Sequence, residues 1–138
     1  MNINIKNITA ASFKKYGYVI AYDSRKSENF QIVLKESDAV GWRIAVSKIE
    51  NKRIYKVARH PNSMESFEPM EGTALICVAP AESPKDFEIF LLDKPVCLFR
   101  NIWHATLTLS EHSLIKICEN ANVDSEEYHF ENAIEISG

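Results

Sequence analysis

The chain has 138 residues, 46% of them hydrophobic and 25% charged, with a formal net charge of -3 and a pI near 5.8. That length suits a single domain, residues 1–138, with its own core, and the weakly acidic balance leaves no basic footprint for nucleic acid. No apolar run approaches the ~18 residues of a membrane span, and Met1 to Lys6 lacks the charged and apolar regions of a secretion signal, so a cytoplasmic location with no membrane partner is expected.

Thr9 to Gly17 reads as one short helix over Ala10–Tyr16, capped by Thr9 and closed by Gly17 in a left-handed conformation. Tyr18 to Ala21 leads into a strand. Asp23 to Asp38 is polar and irregular apart from an apolar island at Phe30 to Leu34, and reads as a long loop or mobile edge. From Trp42 onward the pattern is strand after strand. Trp42 to Ile49 and Arg53 to Arg59, separated by Glu50-Asn51-Lys52, suggest a hairpin. Thr73 to Ala79, Phe87 to Leu92, Val96 to Phe99, Trp103 to Leu109 and Leu114 to Cys118 continue the series, and Tyr128 to Ile136 reads as a last strand or as an arm for a partner. Short strands at this spacing, with little helix between them, predict an all-β antiparallel sandwich or barrel with a short N-terminal helix. Cys77, Cys97 and Cys118 are odd in number, contain no C-x2-C pair, and sit in apolar runs, which reads as buried free thiols.

Two segments carry the chemistry. Arg59-His60-Pro61 through Gly72 contains H-x4-E-x6-G in His60, Glu65 and Gly72. Arg100-Asn101-Ile102-Trp103-His104 ends in a histidine near the start of a strand. Converging, His60, Glu65 and His104 form a two-histidine, one-carboxylate set that suits a divalent metal with open positions, or an acid/base site without metal. Strand alternation puts His104, Thr106 and Thr108 on one face and Trp103, Ala105, Leu107 and Leu109 on the other. It likewise sends Arg59 away from Ala58 and His60. Lys56 reads as a solvated face residue, and His112 and His129 as peripheral. Ser63 and Ser66 have no nucleophile setting.

The first segment matches part of the cupin motif, H-x-H-x(3,4)-E-x6-G, with Ala58 at the first histidine. More specifically, the chain resembles the ureidoglycolate lyase family, once called ureidoglycolate hydrolases. The resemblance lies in Ile8 to Gly17, the R-H-P-x-S-x-x-F-x-P-x-x-G run from Arg59 to Gly72, Val78-Ala79-Pro80 and Asn101-Ile102-Trp103-His104. It implies a cupin β-barrel, commonly a homodimer, that splits ureidoglycolate into glyoxylate and urea in purine and allantoin catabolism. His104, His60 and Glu65 are then the catalytic candidates. Arg59 anchors the substrate carboxylate through its planar fork, with Asn101 and Trp103 as further substrate contacts, although Trp103 and Phe67 also suit the core. A divalent metal, if bound, takes His60, Glu65 and His104. The chain departs from the family at Ala58, where a glutamate usually precedes R-H-P, at Phe99 and Ala105, where histidines are usual, and at Glu65, usually glutamine. The late Asp-Arg pair is not evident near Cys118-Glu119-Asn120. A runner-up reading is a cupin that binds a small carboxylate or sugar-like ligand without turnover, and a third is a metal-dependent cupin isomerase or dioxygenase.

Overall fold

A computed structural model of the chain describes residues 3–136. In chain order the elements are β1 (Ile5–Asn7), α1 (Ala10–Phe13), β2 (Gly17–Val19), β3 (Arg43–Ile49), β4 (Arg53–Arg59), β5 (Glu65–Glu71), β6 (Ala74–Ala79), β7 (Glu88–Leu92), β8 (Val96–Leu98), β9 (Trp103–Thr108), β10 (Ser113–Glu119) and β11 (Glu126–Glu135). They form a six-stranded sheet, β1-β7-β6-β9-β4-β11, and a five-stranded sheet, β2-β8-β5-β10-β3. All pairings are antiparallel except β1 on β7. This is the expected mainly β, two-sheet architecture with a small N-terminal helix.

The alternation of apolar side chains explains the layering. Ile76, Val78 and Phe90 of the six-stranded sheet meet Phe67, Val96, Leu98 and Ile115 of the other sheet across the interior. Phe13, Tyr16 and Phe90 close it with edge-to-face contacts at 5.2 to 6.0 Å between ring centroids. Leu75, Cys77, Trp103 and Leu107 point the other way and build a second apolar layer on the outer face, covered by Tyr128 and Phe130 of β11. Fully burying each large side chain is worth ~1.5–3 kcal/mol, so the six-stranded sheet is held from both faces. β11 is therefore a strand of this sheet, paired with β4.

Three local expectations are corrected. The residues 50–52 turn is not a hairpin, because β3 and β4 belong to different sheets. Asn51 carries the chain across by donating its side-chain amide to the Thr106 carbonyl at 2.8 Å and accepting the Thr108 N–H at 3.0 Å. The helix is a single turn, held by a reciprocal capping box between Thr9 and Ser12, and it ends early because Phe13 and Tyr16 are both drawn fully into the core. Gly17 does not close it in the left-handed region. It starts β2 so close to β8 that a Cβ would stand 2.1 Å from the Cys97 carbonyl oxygen. The stretch Glu65–Glu71, read only as a motif, is itself a strand. Cys77 and Cys97 are buried free thiols and Cys118 is half-buried; desolvation pushes the first two up to about 12.

The Gly17 contact is with backbone and cannot be relieved by a rotamer change. Gly17→Ala should therefore cost ~1–3 kcal/mol, measured as a lowered urea midpoint; an unchanged midpoint would contradict the close approach.

Candidate active site

His60, Glu65 and His104 come together from both sheets. His60 follows the last residue of β4, where Pro61 stops the ladder because it has no N–H to donate. Glu65 opens β5 and His104 is the second residue of β9. Ala58 and His104 are direct cross-strand partners, so the small Ala58 side chain lies beside the His104 ring. The His60 and His104 ring centroids are 4.9 Å apart, and the Phe67 ring stands edge-on to His104 at 5.3 Å.

The turn carrying His60 is clamped from two directions. Asn101, in the left-handed region at φ 68°, donates its backbone N–H to the His60 carbonyl at 3.1 Å. Asn62 donates its side-chain amide to the Asn122 carbonyl and accepts the Asp124 N–H, while Asn120 donates its N–H to the buried Ser63 hydroxyl and its side-chain amide to the Asn62 carbonyl. Ser63, which has no nucleophile role to play, is thus a structural member of the R-H-P-x-S run. Asn62 and Asn120 were invisible to sequence reasoning, since a turn asparagine and a post-strand asparagine carry no chemical signature.

Both imidazoles are anchored through Nδ1. His60 Nδ1 lies 3.1 Å from the Asp124 carbonyl oxygen, with the Ser125 hydroxyl also at 2.9 Å, and His104 Nδ1 lies 3.0 Å from the Ile102 carbonyl oxygen. A carbonyl only accepts, so these contacts favour the proton on Nδ1 in each neutral ring, with Nε2 presenting a lone pair. Both Nε2 atoms face one oxygen: Glu65 Oε1 is 2.9 Å from that of His60 and 3.0 Å from that of His104. Yet Oε1 is buried without an aligned hydrogen-bond donor; the approach is right in distance and off-axis in direction. Three lone-pair atoms this close repel unless a positive charge is shared among them. That charge is a proton on an imidazole or a cation.

The electrostatics agree. For Glu65, burial pushes the carboxyl up, but the two histidines outweigh it and hold it down at about 2. For His60, burial pulls the ring down, and Glu65 with the Asp124 carbonyl more than reverses this, leaving it above 6.5. The donor set also fits a divalent metal. Its ligand atoms lie within 4.8 Å of one another, the Nδ1–H groups are anchored as in metal-binding histidines, and donors at about 2.1 Å on adjacent octahedral positions stand about 3 Å apart.

The other expected site residues lie elsewhere. Arg59 leaves β4 on the opposite face from His60, stacks on Trp103 at 4.4 Å from the ring and donates to the Ala81 carbonyl at 2.9 Å. Trp103 belongs to the outer apolar layer and donates its indole N–H to the same carbonyl at 3.0 Å. Neither joins the trio, as expected from their place in the strand alternation. Asn101 contributes through its backbone N–H. Ala105 packs in that outer layer and Phe99 against the interior core, so a histidine at 105 would point away from the trio. Lys56 pairs with Glu127 at the exposed edge, His112 with Glu71, and His129 is exposed.

Comparison with known proteins adds the following. A family model described as ureidoglycolate lyase matches residues 1–137. No curated protein matches the sequence. Among solved structures, vicilin from Solanum melongena aligns at 17% identity and a TM-score of 0.49, covering 64% of this chain and 24% of that one. Bacillus subtilis oxalate decarboxylase aligns at 13% identity and a TM-score of 0.46, with 64% and 24% covered. This chain thus spans about a quarter of the length of either.

The two pKa shifts set a stability window. The contribution of protonated His60 is complete below 6.5 and lost as pH rises through its raised folded value. That of ionised Glu65 is complete above 4.5 and lost as pH falls toward about 2. Thermal stability should peak between these limits, and Glu65→Gln should flatten the alkaline limb. An identical alkaline limb in wild type and Glu65→Gln would show that the two groups are not coupled.

Proposed function

The chain belongs to the ureidoglycolate lyase family, and on that premise we propose that it cleaves ureidoglycolate, or a closely related small hydroxy acid, at the carbinol C–N bond through His104, His60 and Glu65. The observation that carries this reading is the convergence of two imidazoles, each anchored through Nδ1, on one buried carboxylate oxygen. The reaction needs one proton removed and one delivered, which is what a coupled pair of such rings supplies.

In this reading the roles divide by environment. His104 Nε2 takes the proton from the carbinol hydroxyl. The carbonyl of glyoxylate forms as the C–N bond breaks, and its electron pair passes to the urea nitrogen. His60, held protonated by Glu65, donates its Nε2 proton to that nitrogen. One proton has then moved onto His104 and one has left His60, and Glu65 Oε1, within 3.0 Å of both rings, bridges the return that resets the pair. A divalent metal held by the same three residues would supply Lewis-acid stabilisation of developing charge on the substrate oxygen. The Phe67 edge fixes the His104 ring, and the near-complete burial of the trio strengthens each electrostatic contact by excluding water.

Losing a general acid/base group typically costs ~10²–10⁴ in rate. His104→Ala should therefore lower kcat for urea release by about that factor while the protein still unfolds cooperatively. Wild-type protein that releases neither urea nor glyoxylate from ureidoglycolate, with or without added divalent metal, would overturn the lyase reading in favour of ligand binding without turnover.

A further inference from the structure

Residues 20–42 form a strap without regular secondary structure that lies over the five-stranded sheet. It encloses a cavity of about 530 Å³ against the outer face of the five-stranded sheet, lined in part by Val33, Leu34 and Val40. Phe30 and Ile32 are 85% and 67% exposed, so these two side chains of its apolar island are not packed down, while Val33 and Leu34 are half-buried. Its polar contacts are local, such as Gln31 with the backbone of Asp23 and Glu28, and Arg25 with Asp23. Among the described residues, one side-chain ion pair ties positions 21–42 to the rest of the chain, and it joins Glu36 to Arg100.

Arg100 is the cation beside the turns that carry the two histidines. It lines a second, polar cavity of about 490 Å³ with Asn62, Asn120, Asn122, Asp38 and Val40. Asn62 is two residues from His60, and Arg100 is four residues from His104. The backbone link from Asn101 to the His60 carbonyl ties the two turns together. Arg59, the other arginine near the trio in sequence, is committed to Trp103 and Ala81 on the far face. The Arg100 side chain is 37% exposed and Glu36 23%, so the pair is accessible and exchangeable. The partner that Arg100 already holds is a carboxylate, and a planar guanidinium is the side chain best matched to that group.

We propose that Arg100 binds the carboxylate of the ligand and that Glu36 competes with it for the same guanidinium, so the strap is latched by an internal copy of the group the site recognises. This rests on the reading of the substrate as a small carboxylate and adds the residue that recognises it and the segment that gates it. Ligand binding then releases the strap. Because a solvent-accessible ion pair is weak, the latch lowers the apparent affinity by a modest factor.

Titration calorimetry with glycolate as the probe tests this. Arg100→Gln should weaken binding ~10–100-fold, the range of a hydrogen bond to a charged group. Glu36→Gln should tighten it roughly 2–5-fold. The double variant should match Arg100→Gln alone, since Glu36 acts only through Arg100. Arg53→Gln, at the exposed β4–β11 edge, controls for the loss of one positive charge, and melting curves confirm that each variant is folded. Unchanged affinity in either single variant, equal losses in Arg53→Gln and Arg100→Gln, or no glycolate binding by wild type and Glu36→Gln alike would overturn the proposal. The titration reads binding and not turnover. A protein that binds glycolate through Arg100 but releases no urea keeps this inference and loses the lyase reading.

Discussion

Burial of the Glu65 charge is the constraint around which this fold is arranged. A carboxylate removed from water costs several kcal/mol unless it is paired, and here both partners come from the opposite sheet. His60 and His104 sit on adjacent strands of the six-stranded sheet, while Glu65 begins the second strand from β2 in the five-stranded sheet's neighbour order after β8. The trio therefore staples the two sheets together where apolar packing gives way to polar groups. Pro61, the Asn62–Asn120 clamp and the left-handed Asn101 each serve that convergence. Removing one partner would leave a buried charge uncompensated, which explains why so many backbone hydrogen bonds are spent on holding two rings in place.

The same constraint makes the site reactive. Fixing both Nδ1–H groups on carbonyls leaves the Nε2 atoms and one carboxylate oxygen sharing too few protons for ordinary hydrogen bonds. A structural ion pair would align donor with acceptor. Here the three atoms are close but off-axis, an arrangement that favours a mobile proton or a bound cation. The charge at Glu65 is what holds His60 above its ordinary value against the pull of burial.

Much of this was legible in the sequence. Apolar alternation from Trp42 to Cys118 predicts the strands, and on β9 it separates His104 from Trp103 and Ala105 as the structure does. The same alternation turns Arg59 away from His60, and the structure places it there, stacked on Trp103. Strand β5 was hidden because Glu65, Glu68, Pro69 and Glu71 give it a loop-like composition, and its pairing with β8 and β10 is long-range. The residues 50–52 connection looks like a hairpin because local turn composition does not say which sheet the next strand joins. Gly17 has the same limitation: sequence shows a glycine after a helix, but only the tertiary approach of Cys97 shows why it must be one. Arg100 and Glu36 are 64 positions apart, and no pattern in either segment announces that they meet.

The central claim is that both rings carry their neutral-state proton on Nδ1 and turn Nε2 toward Glu65. Long-range 1H–15N correlation spectra of the histidine rings, recorded across neutral and mildly alkaline pH, test it most directly. The account predicts the Nδ1–H tautomer for His60 and His104, with protonation of His60 persisting above 6.5. Finding the Nε2–H tautomer in either neutral ring would contradict it, because that proton would sit where the lone pair facing Glu65 is required.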